Sequence, residues 1–288
     1  SLVFDELLDI PRITCHLLDP SVVGKFVFES CRGSILMSGT LFPPMMYSEI
    51  LGIPDNRTVC KIYSSDFPVE NRPVLIASDV TSKFSERERS IPVIGKHVKA
   101  VIENTHGNVA IFAPSYAMLE RIYSDFVNLG WCSKKVLKEE QRMSKRGVES
   151  MISKLYEQKE MGGAVIFGVL NGKLSEGVDY SDNVLDSLVC IGLPLPPPSS
   201  KQDSLMDYFT RKFDRNRAWK YASLQPAVNS VLQALGRPIR KKGDRAIIVL
   251  LENRMLERRV SDCMPSMMKI QTSSPSRTAE RVKAFFEI

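Results

Sequence analysis

No apolar run in the 288 residues reaches the length of about 18 that a membrane span needs, and no apolar leader opens the chain, so a membrane-embedded or secreted protein is not indicated. Cysteine is sparse. The six, at 15, 31, 60, 132, 190 and 263, contain no C-x-x-C pair, which removes the usual zinc-ribbon and thiol-redox readings. Several fall in apolar, strand-like runs and are expected to be reduced core thiols. The three histidines, His16, His97 and His106, form no metal-ligand pattern. No internal repeat is visible. What remains is an ordinary globular composition, 43% hydrophobic, enough for one large domain or two modest ones. The opening, without an initiator Met, reads as the start of a fragment.

The net charge of +6 is concentrated in residues 201–260, which carry fourteen Lys or Arg against six Asp or Glu. The same stretch holds Tyr208, Phe209, Phe213, Trp219 and Tyr221. A solvated basic surface is one reading. Cations interleaved with aromatics, the composition of a groove for single-stranded nucleic acid, is the other. Phe209 and Phe213 are spaced i, i+4, as on a buried helix face. Trp219 lies between Arg217 and Lys220 and reads either as core or as an exposed platform for a base, with Arg254 touching the strand's phosphate backbone.

Gln233-Ala-Leu-Gly-Arg-Pro-Ile-Arg240 ends an apolar helical pattern. Val228, Val231, Leu232 and Leu235 would face a core, with Gln233, Arg237 and Arg240 at i, i+4 and i+7 on the opposite stripe. Forked guanidinium donors suit a phosphate-rich ligand; a basic helix end placed against the helix dipole is the plain alternative. A second stretch, Asn171-Gly-Lys-Leu-Ser-Glu-Gly-Val-Asp-Tyr180, follows the apolar run 164–170, which reads as a buried parallel strand. In this order the two stretches resemble motifs V and VI of the XPD-like superfamily-2 DNA helicases, the iron-sulfur group that includes the DinG-like enzymes. Met37-Ser-Gly-Thr-Leu41 resembles motif III of that group and the segment 108–119 its motif IV. Together the four span residues 35–255, most of the chain.

Along the chain, residues 34–37 read as a strand delivering Ser38, Gly39 and Thr40 to a sheet edge, where the family couples nucleotide state to DNA. Residues 1–41 are expected to be the tail of a first motor lobe, and the proline-rich 42–72 a connector. Strands are predicted at 73–78, 108–113, 164–169, 187–192 and 246–251. Helices are predicted at 90–104, with Pro92 in the first turn, at 116–129 after a Ser115 cap with Leu119, Ile122, Phe126 and Leu129 inward, and at 148–156 after a charged region, 134–145. Alternating strands and helices imply an α/β fold, a doubly wound parallel sheet with helices on both faces, here a RecA-like second helicase lobe over 73–271. Leu193-Pro-Leu-Pro-Pro-Pro-Ser199 reads as a rigid loop exit. Residues 272–276 read as a flexible tether before a helix at 278–286.

The resemblance implies roles. Arg240 is the arginine finger on the γ-phosphate, supported by Arg237 and Gln233. Glu176, Gly177 and Asp179 form the nucleotide-facing loop; Ser115, Tyr116 and Lys173 touch the translocating strand. Three departures qualify the match: Asn171 stands where Gly is common, Pro238 disfavours helical backbone at Arg237, and Glu252-Asn-Arg-Met255 replaces Asp-x-Arg-Phe. No G-x-x-x-x-G-K-[ST] sequence occurs, and Asp5-Glu6-Leu7-Leu8 lacks the context of a DEAH box. The implied whole is an ATP-dependent 5′–3′ DNA helicase, acting in DNA repair, of which this chain is the second lobe. Its P-loop lobe and iron-sulfur cluster precede residue 1, and ATP with magnesium is used only by the complete protein. Single-stranded DNA and the P-loop lobe are the expected partners. The expected location is intracellular, cytoplasmic in a prokaryote, which the short extension after motif VI favours, or nuclear in a eukaryote. A non-catalytic nucleic-acid-binding or scaffold module with a helicase-like fold is the alternative.

Overall fold

Runs of five or six aliphatic and β-branched residues without polar alternation are strands buried on both faces. The computed structural model, which describes residues 2–7, 10–128, 130, 132–267 and 269–287, places them in the middle of a sheet. In chain order, β1 (Leu2–Leu7) and β2 (Ile10–Cys15) pair antiparallel, and α1 (Ser21–Ser30) and α2 (Pro44–Leu51) follow. Next come β3 (Val74–Ala77), α3 (Arg87–Glu103), β4 (Val109–Ala113), α4 (Tyr116–Asn128), β5 (Lys135–Lys138), α5 (Lys145–Lys159), β6 (Ala164–Val169), α6 (Lys173–Glu176) and β7 (Ser187–Ile191). Helices α7 (Ser200–Lys212) and α8 (Arg215–Trp219) lead through a π-helical turn, Lys220–Leu224, into α9 (Gln225–Leu235). The chain ends with β8 (Ile247–Leu251), α10 (Arg258–Ser261), β9 (Lys269–Thr272) and α11 (Pro275–Phe286).

Strands β3 to β9 form one parallel sheet in the order β5-β6-β4-β7-β8-β3-β9. The chain divides into two compact units. The larger comprises residues 65–194, 230–262 and 266–288, the smaller 1–64, 195–229 and 263–265. In the larger unit, Leu75, Ile111, Phe167, Val189 and Val249 point to one face of the sheet. There they pack with Ile94 and Val98 of α3, Leu119 and Ile122 of α4, and Val282 and Phe285 of α11. Residues of the opposite pleat, Ile76, Phe112, Ile166, Leu188 and Ile248, are buried as completely. Serine caps set the helix starts: Ser115 Oγ accepts from Met118 N–H, Ser144 from Gly147 and Ser274 from Arg277.

The smaller unit has its own core, in which Met46 of α2 packs with Phe209 of α7, Ala218 of α8 and Tyr221 and Ala222 of the π-helical turn. Phe213 meets Phe209 and Tyr221 edge-on, at 5.5 and 5.2 Å between ring centroids. Asp19 accepts hydrogen bonds from Lys212 Nζ (2.8 Å), Ser21 Oγ (2.6 Å) and the Tyr208 hydroxyl. Burial alone would raise its pKa, but these donors hold the carboxyl well below the usual range.

Several expectations are corrected. Residues 34–37 form no strand: Ile35 and Met37 are 84% and 82% exposed, because no other strand of the described chain lies alongside to take their hydrogen bonds. The charged region 134–145 contains β5, whose lysines suit a sheet edge. Helix α3 starts at Arg87, so Pro92 lies inside it rather than in its first turn. Thr272 closes β9 and Ser274 caps α11, so the supposed tether is ordered structure. Only Cys190 and Cys263 are core thiols. Cys15, Cys31 and Cys60 are exposed and Cys132 is half-buried. Leu129 lies outside the described residues.

A buried polar tie joins α3 to the C-terminal helix. His97, with no exposed surface, bonds Thr278 Oγ1 at 2.9 Å through Nδ1 and Asp79 Oδ1 at 3.0 Å through Nε2. Burial lowers its pKa from the usual value, against the opposing charge of Asp79. The neutral ring is therefore favoured in the fold. A depressed histidine contributes stability that is fully present above its unfolded pKa of about 6.5 and is lost as pH falls through the folded value. Urea titrations between about pH 5 and 8 should show unfolding free energy declining in that window. The His97→Gln variant should lose this part of the slope; the same slope in the variant would assign it to other groups.

Candidate functional site

Strand β6 delivers the chain to the carboxyl edge of the sheet, where parallel α/β sheets bind ligands. The turn begins at Asn171, whose φ of 66° is left-handed, the geometry that asparagine tolerates in place of glycine. Glu139, at the end of β5 and with no exposed surface, fixes the turn. Its carboxylate accepts from Val169 N–H (3.1 Å), Lys173 N–H (2.9 Å) and the Tyr116 hydroxyl (3.2 Å). A Cβ at Gly168 or Gly172 would approach those oxygens to 2.8 or 2.7 Å, so both positions need glycine. Burial, and behind it the charge of Glu139, push the Tyr116 phenol up to about 12. One carboxylate thus ties Tyr116, at the start of α4, to Lys173, at the start of α6. Lys173 Nζ also reaches the Met143 carbonyl.

Past α6, Glu176, Gly177 and Asp179 are exposed, and Arg237 clamps their loop from beneath. Its Nε donates to Ser175 O (2.6 Å), Nη1 to Val178 O (2.7 Å) and Nη2 to Glu176 O (2.5 Å). Burial, followed by the neighbouring charge of Arg240, lowers its pKa from the usual value, though a guanidinium stays charged. Arg240 is different. Its Nε stands 3.0 Å from Asp179 Oδ1, with side chains 38% and 70% exposed, and Asp244 accepts from its backbone N–H. An exposed ion pair of this kind contributes only about 0–1 kcal/mol, so an anionic oxygen could replace Asp179 at little cost.

The sites expected from sequence are therefore sorted by the fold. Ser115, Tyr116, Lys173, Glu176, Gly177, Asp179, Gln233, Arg237, Arg240 and Arg254 lie in the larger unit, and Ser38, Gly39, Thr40 and Trp219 in the smaller. The helical stripe ends early. Helix α9 stops at Leu235, so Gln233 is on its last turn while Arg237 and Arg240 follow it, as the proline at 238 dictates. Arg237 donates to three carbonyls, which uses three of its five N–H donors. Arg254, expected on a nucleic-acid backbone, is 14% exposed and bonded through Nε and Nη2 to Glu252, both at 2.8 Å. Trp219 is half-buried, and Phe209 and Tyr221 are core. Ser38 Oγ accepts from Thr40 N–H at 3.2 Å, and Thr40 O accepts from Tyr47.

Part of the basic charge of 201–260 is paired locally. Lys212 faces Asp19, Arg217 Asp214, Lys241 Asp182 and Arg258 Asp262. Two buried acids escaped the sequence reading. Glu139 sits in a stretch read as solvated charge, and the apolar pair Val136-Leu137 between lysines is the signal for an edge strand ending there. Glu252 was noted only as a departure. Among the described residues no group of three His, Cys, Asp or Glu could hold a metal ion, and no helix is long and apolar enough to cross a membrane.

Comparison with known proteins gives the family and the fold. A family model described as the helicase C-terminal domain matches residues 98–271. The ATP-dependent DNA helicase CHL1 of Meyerozyma guilliermondii is 27% identical, over 98% of this chain and 37% of that protein. The ATP-dependent DNA helicase DDX11 of Mus musculus is 26% identical, over 88% of this chain and 31% of that one. The chain thus spans about a third of the length of these relatives. A solved structure named XPD_Helicase shares the fold with a TM-score of 0.68 at 24% identity, over 88% of this chain and 45% of that chain.

Proposed function

The chain belongs to the helicase C-terminal domain family of XPD-, CHL1- and DDX11-type helicases, and from that premise we propose that it is the second motor lobe of an ATP-dependent DNA helicase moving 5′ to 3′ on single-stranded DNA. The observation that carries the reading is Arg240, an exposed guanidinium held beside the exposed loop 176–179 while Arg237 fixes that loop from within. In such a motor ATP with magnesium supplies the free energy of phosphoryl transfer, and cations must meet the charge that develops on the γ-phosphate. The residues here fit that one role. Arg240 stabilises the charge across a cleft between lobes, Arg237 holds the backbone that positions it, and Gln233 lies on the preceding helical turn.

Residues 1–41 are proposed to complete the first lobe, 42–72 to connect the lobes, and 73 onward to build the second. The phosphate-binding loop, the magnesium carboxylate and an iron-sulfur cluster are assigned to the part of the protein outside this chain. The relatives named above are eukaryotic, against the prokaryotic reading of the short extension, and a nuclear location with a role in DNA repair is proposed on kinship.

The test compares this chain with the complete protein. The complete protein should hydrolyse ATP faster when oligo-dT is added, and the 288-residue chain should show no turnover with or without it. Turnover by the chain alone would overturn its assignment as a second lobe dependent on the rest of the protein, and a complete protein that binds DNA without DNA-stimulated hydrolysis would favour the non-catalytic module.

A further inference from the structure

Among the described residues of the larger unit the most exposed aromatic ring belongs to Phe84, 85% exposed in the loop after β3. Core packing does not explain it, and an apolar docking patch does not either. Between residues 65 and 126 the exposed large apolar side chains are Val69 and Phe84, which is too little for a protein interface. Cations surround it instead. The Arg87 guanidinium lies 5.3 Å from the ring centroid, and Lys83 is the preceding residue. Arg87 Nε is buried without a hydrogen-bond partner, so no protein acceptor fixes that side of the guanidinium. The nearby carboxylates are already neutralised: Glu86 faces Lys83 (3.3 Å) and Arg89 (3.4 Å), and Glu88 is held bidentately by Arg121 (2.6 and 2.7 Å).

The loop is also built with unusual care for a surface turn. Glu252, 1% exposed, accepts from Thr81 Oγ1 (2.6 Å), Ser82 N–H (2.9 Å) and Ser82 Oγ (2.7 Å), and Arg254 completes the carboxylate's partners while donating to Ser82 Oγ at 2.9 Å. Burial would raise the pKa of Glu252, but Arg254 brings it below the ordinary carboxylate value. The Glu88–Arg121 pair joins the starts of α3 and α4, so this loop and Ser115 share one ledge on the carboxyl edge of the sheet.

We propose that residues 81–87 bind one nucleotide unit of single-stranded nucleic acid, with a base stacked on Phe84 and its phosphate held by Lys83 and Arg87. Arg254 and Glu252 act as positioning residues that hold the loop, which gives Arg254 an indirect part in strand binding. The inference rests on the proposed function in that the strand is its ligand.

Fluorescence anisotropy of the complete protein with oligo-dT, without ATP and at several salt concentrations, tests it. Phe84→Ala and Phe84→Leu should each weaken binding about 5- to 150-fold, and Phe84→Tyr should not. Lys83→Ala should reduce the salt slope by about one phosphate contact. On an oligonucleotide abasic throughout, the wild type and Phe84→Ala should bind alike. Wild-type affinity in Phe84→Ala, rescue by Phe84→Leu, or an equal loss on the abasic strand would each overturn the proposal. Failure of the wild type to bind oligo-dT at all would instead overturn the helicase reading on which it rests.

Discussion

Arg240→Ala in the complete protein is expected to lower DNA-stimulated ATP hydrolysis about 10³-fold, with single-strand affinity and melting temperature close to wild type. The loss corresponds to about 4 kcal/mol of transition-state stabilisation. In the proposed role the loss falls on turnover, because the guanidinium would meet charge that appears only as the γ-phosphoryl group leaves. The structure separates this role from stability. The Arg240 guanidinium pairs with the exposed Asp179, an interaction contributing about 0–1 kcal/mol in water. Steady-state kinetics with saturating oligo-dT decides the matter. A variant hydrolysing ATP near the wild-type rate would remove Arg240 from the mechanism.

Arg237→Ala should behave in the opposite way, lowering the unfolding free energy by about 3 kcal/mol, with any loss of hydrolysis following from a disordered loop. Three carbonyls at 175, 176 and 178 lose a charged donor, and each such bond contributes about 1.5–3 kcal/mol before relaxation and water take some back. Arg237→Lys should not restore it, since an ammonium cannot span three acceptors arranged for a planar fork. Urea unfolding of this chain measures the effect without any nucleotide. If Arg237→Ala unfolds like the wild type and yet abolishes hydrolysis in the complete protein, the residue belongs with Arg240 on the phosphate, as the sequence alone suggested.

That contrast shows where the sequence was legible. The interior strands 109–113, 164–169, 187–191 and 247–251 announce themselves because burial on both faces requires unbroken apolar runs. The edge strands do not. Lys135-Val-Leu-Lys and Lys269-Ile-Gln-Thr carry the polar side chains that protect a sheet margin, and so the first reads as part of a charged region and the second gives no strand signal. The two arginines of the motif look interchangeable in sequence. Arg237 meets carbonyls some sixty residues earlier in the chain, and only the packing of the segment after α9 against the loop after β6 assigns it to structure and leaves Arg240 to the surface. Glu139 and Glu252 follow the same rule. A buried carboxylate is defined by its donors, and of the residues that donate to these two all but Arg254 come from other segments.

The position of β3 in the sheet also fixes when the lobe can be finished during synthesis. It is the first strand of the larger unit to leave the ribosome, yet its neighbours are β8 and β9, the last two: residue 74 pairs with residues 248 and 269. At about 5–20 residues per second, that segment waits on the order of ten to thirty seconds with both hydrogen-bonding edges and a fully apolar sequence unsatisfied. The larger unit therefore cannot fold vectorially from its first strand. The block β4 to β7 can assemble first, and β3 is inserted only after the carboxyl-terminal residues emerge, which makes this strand the natural point for a chaperone to hold.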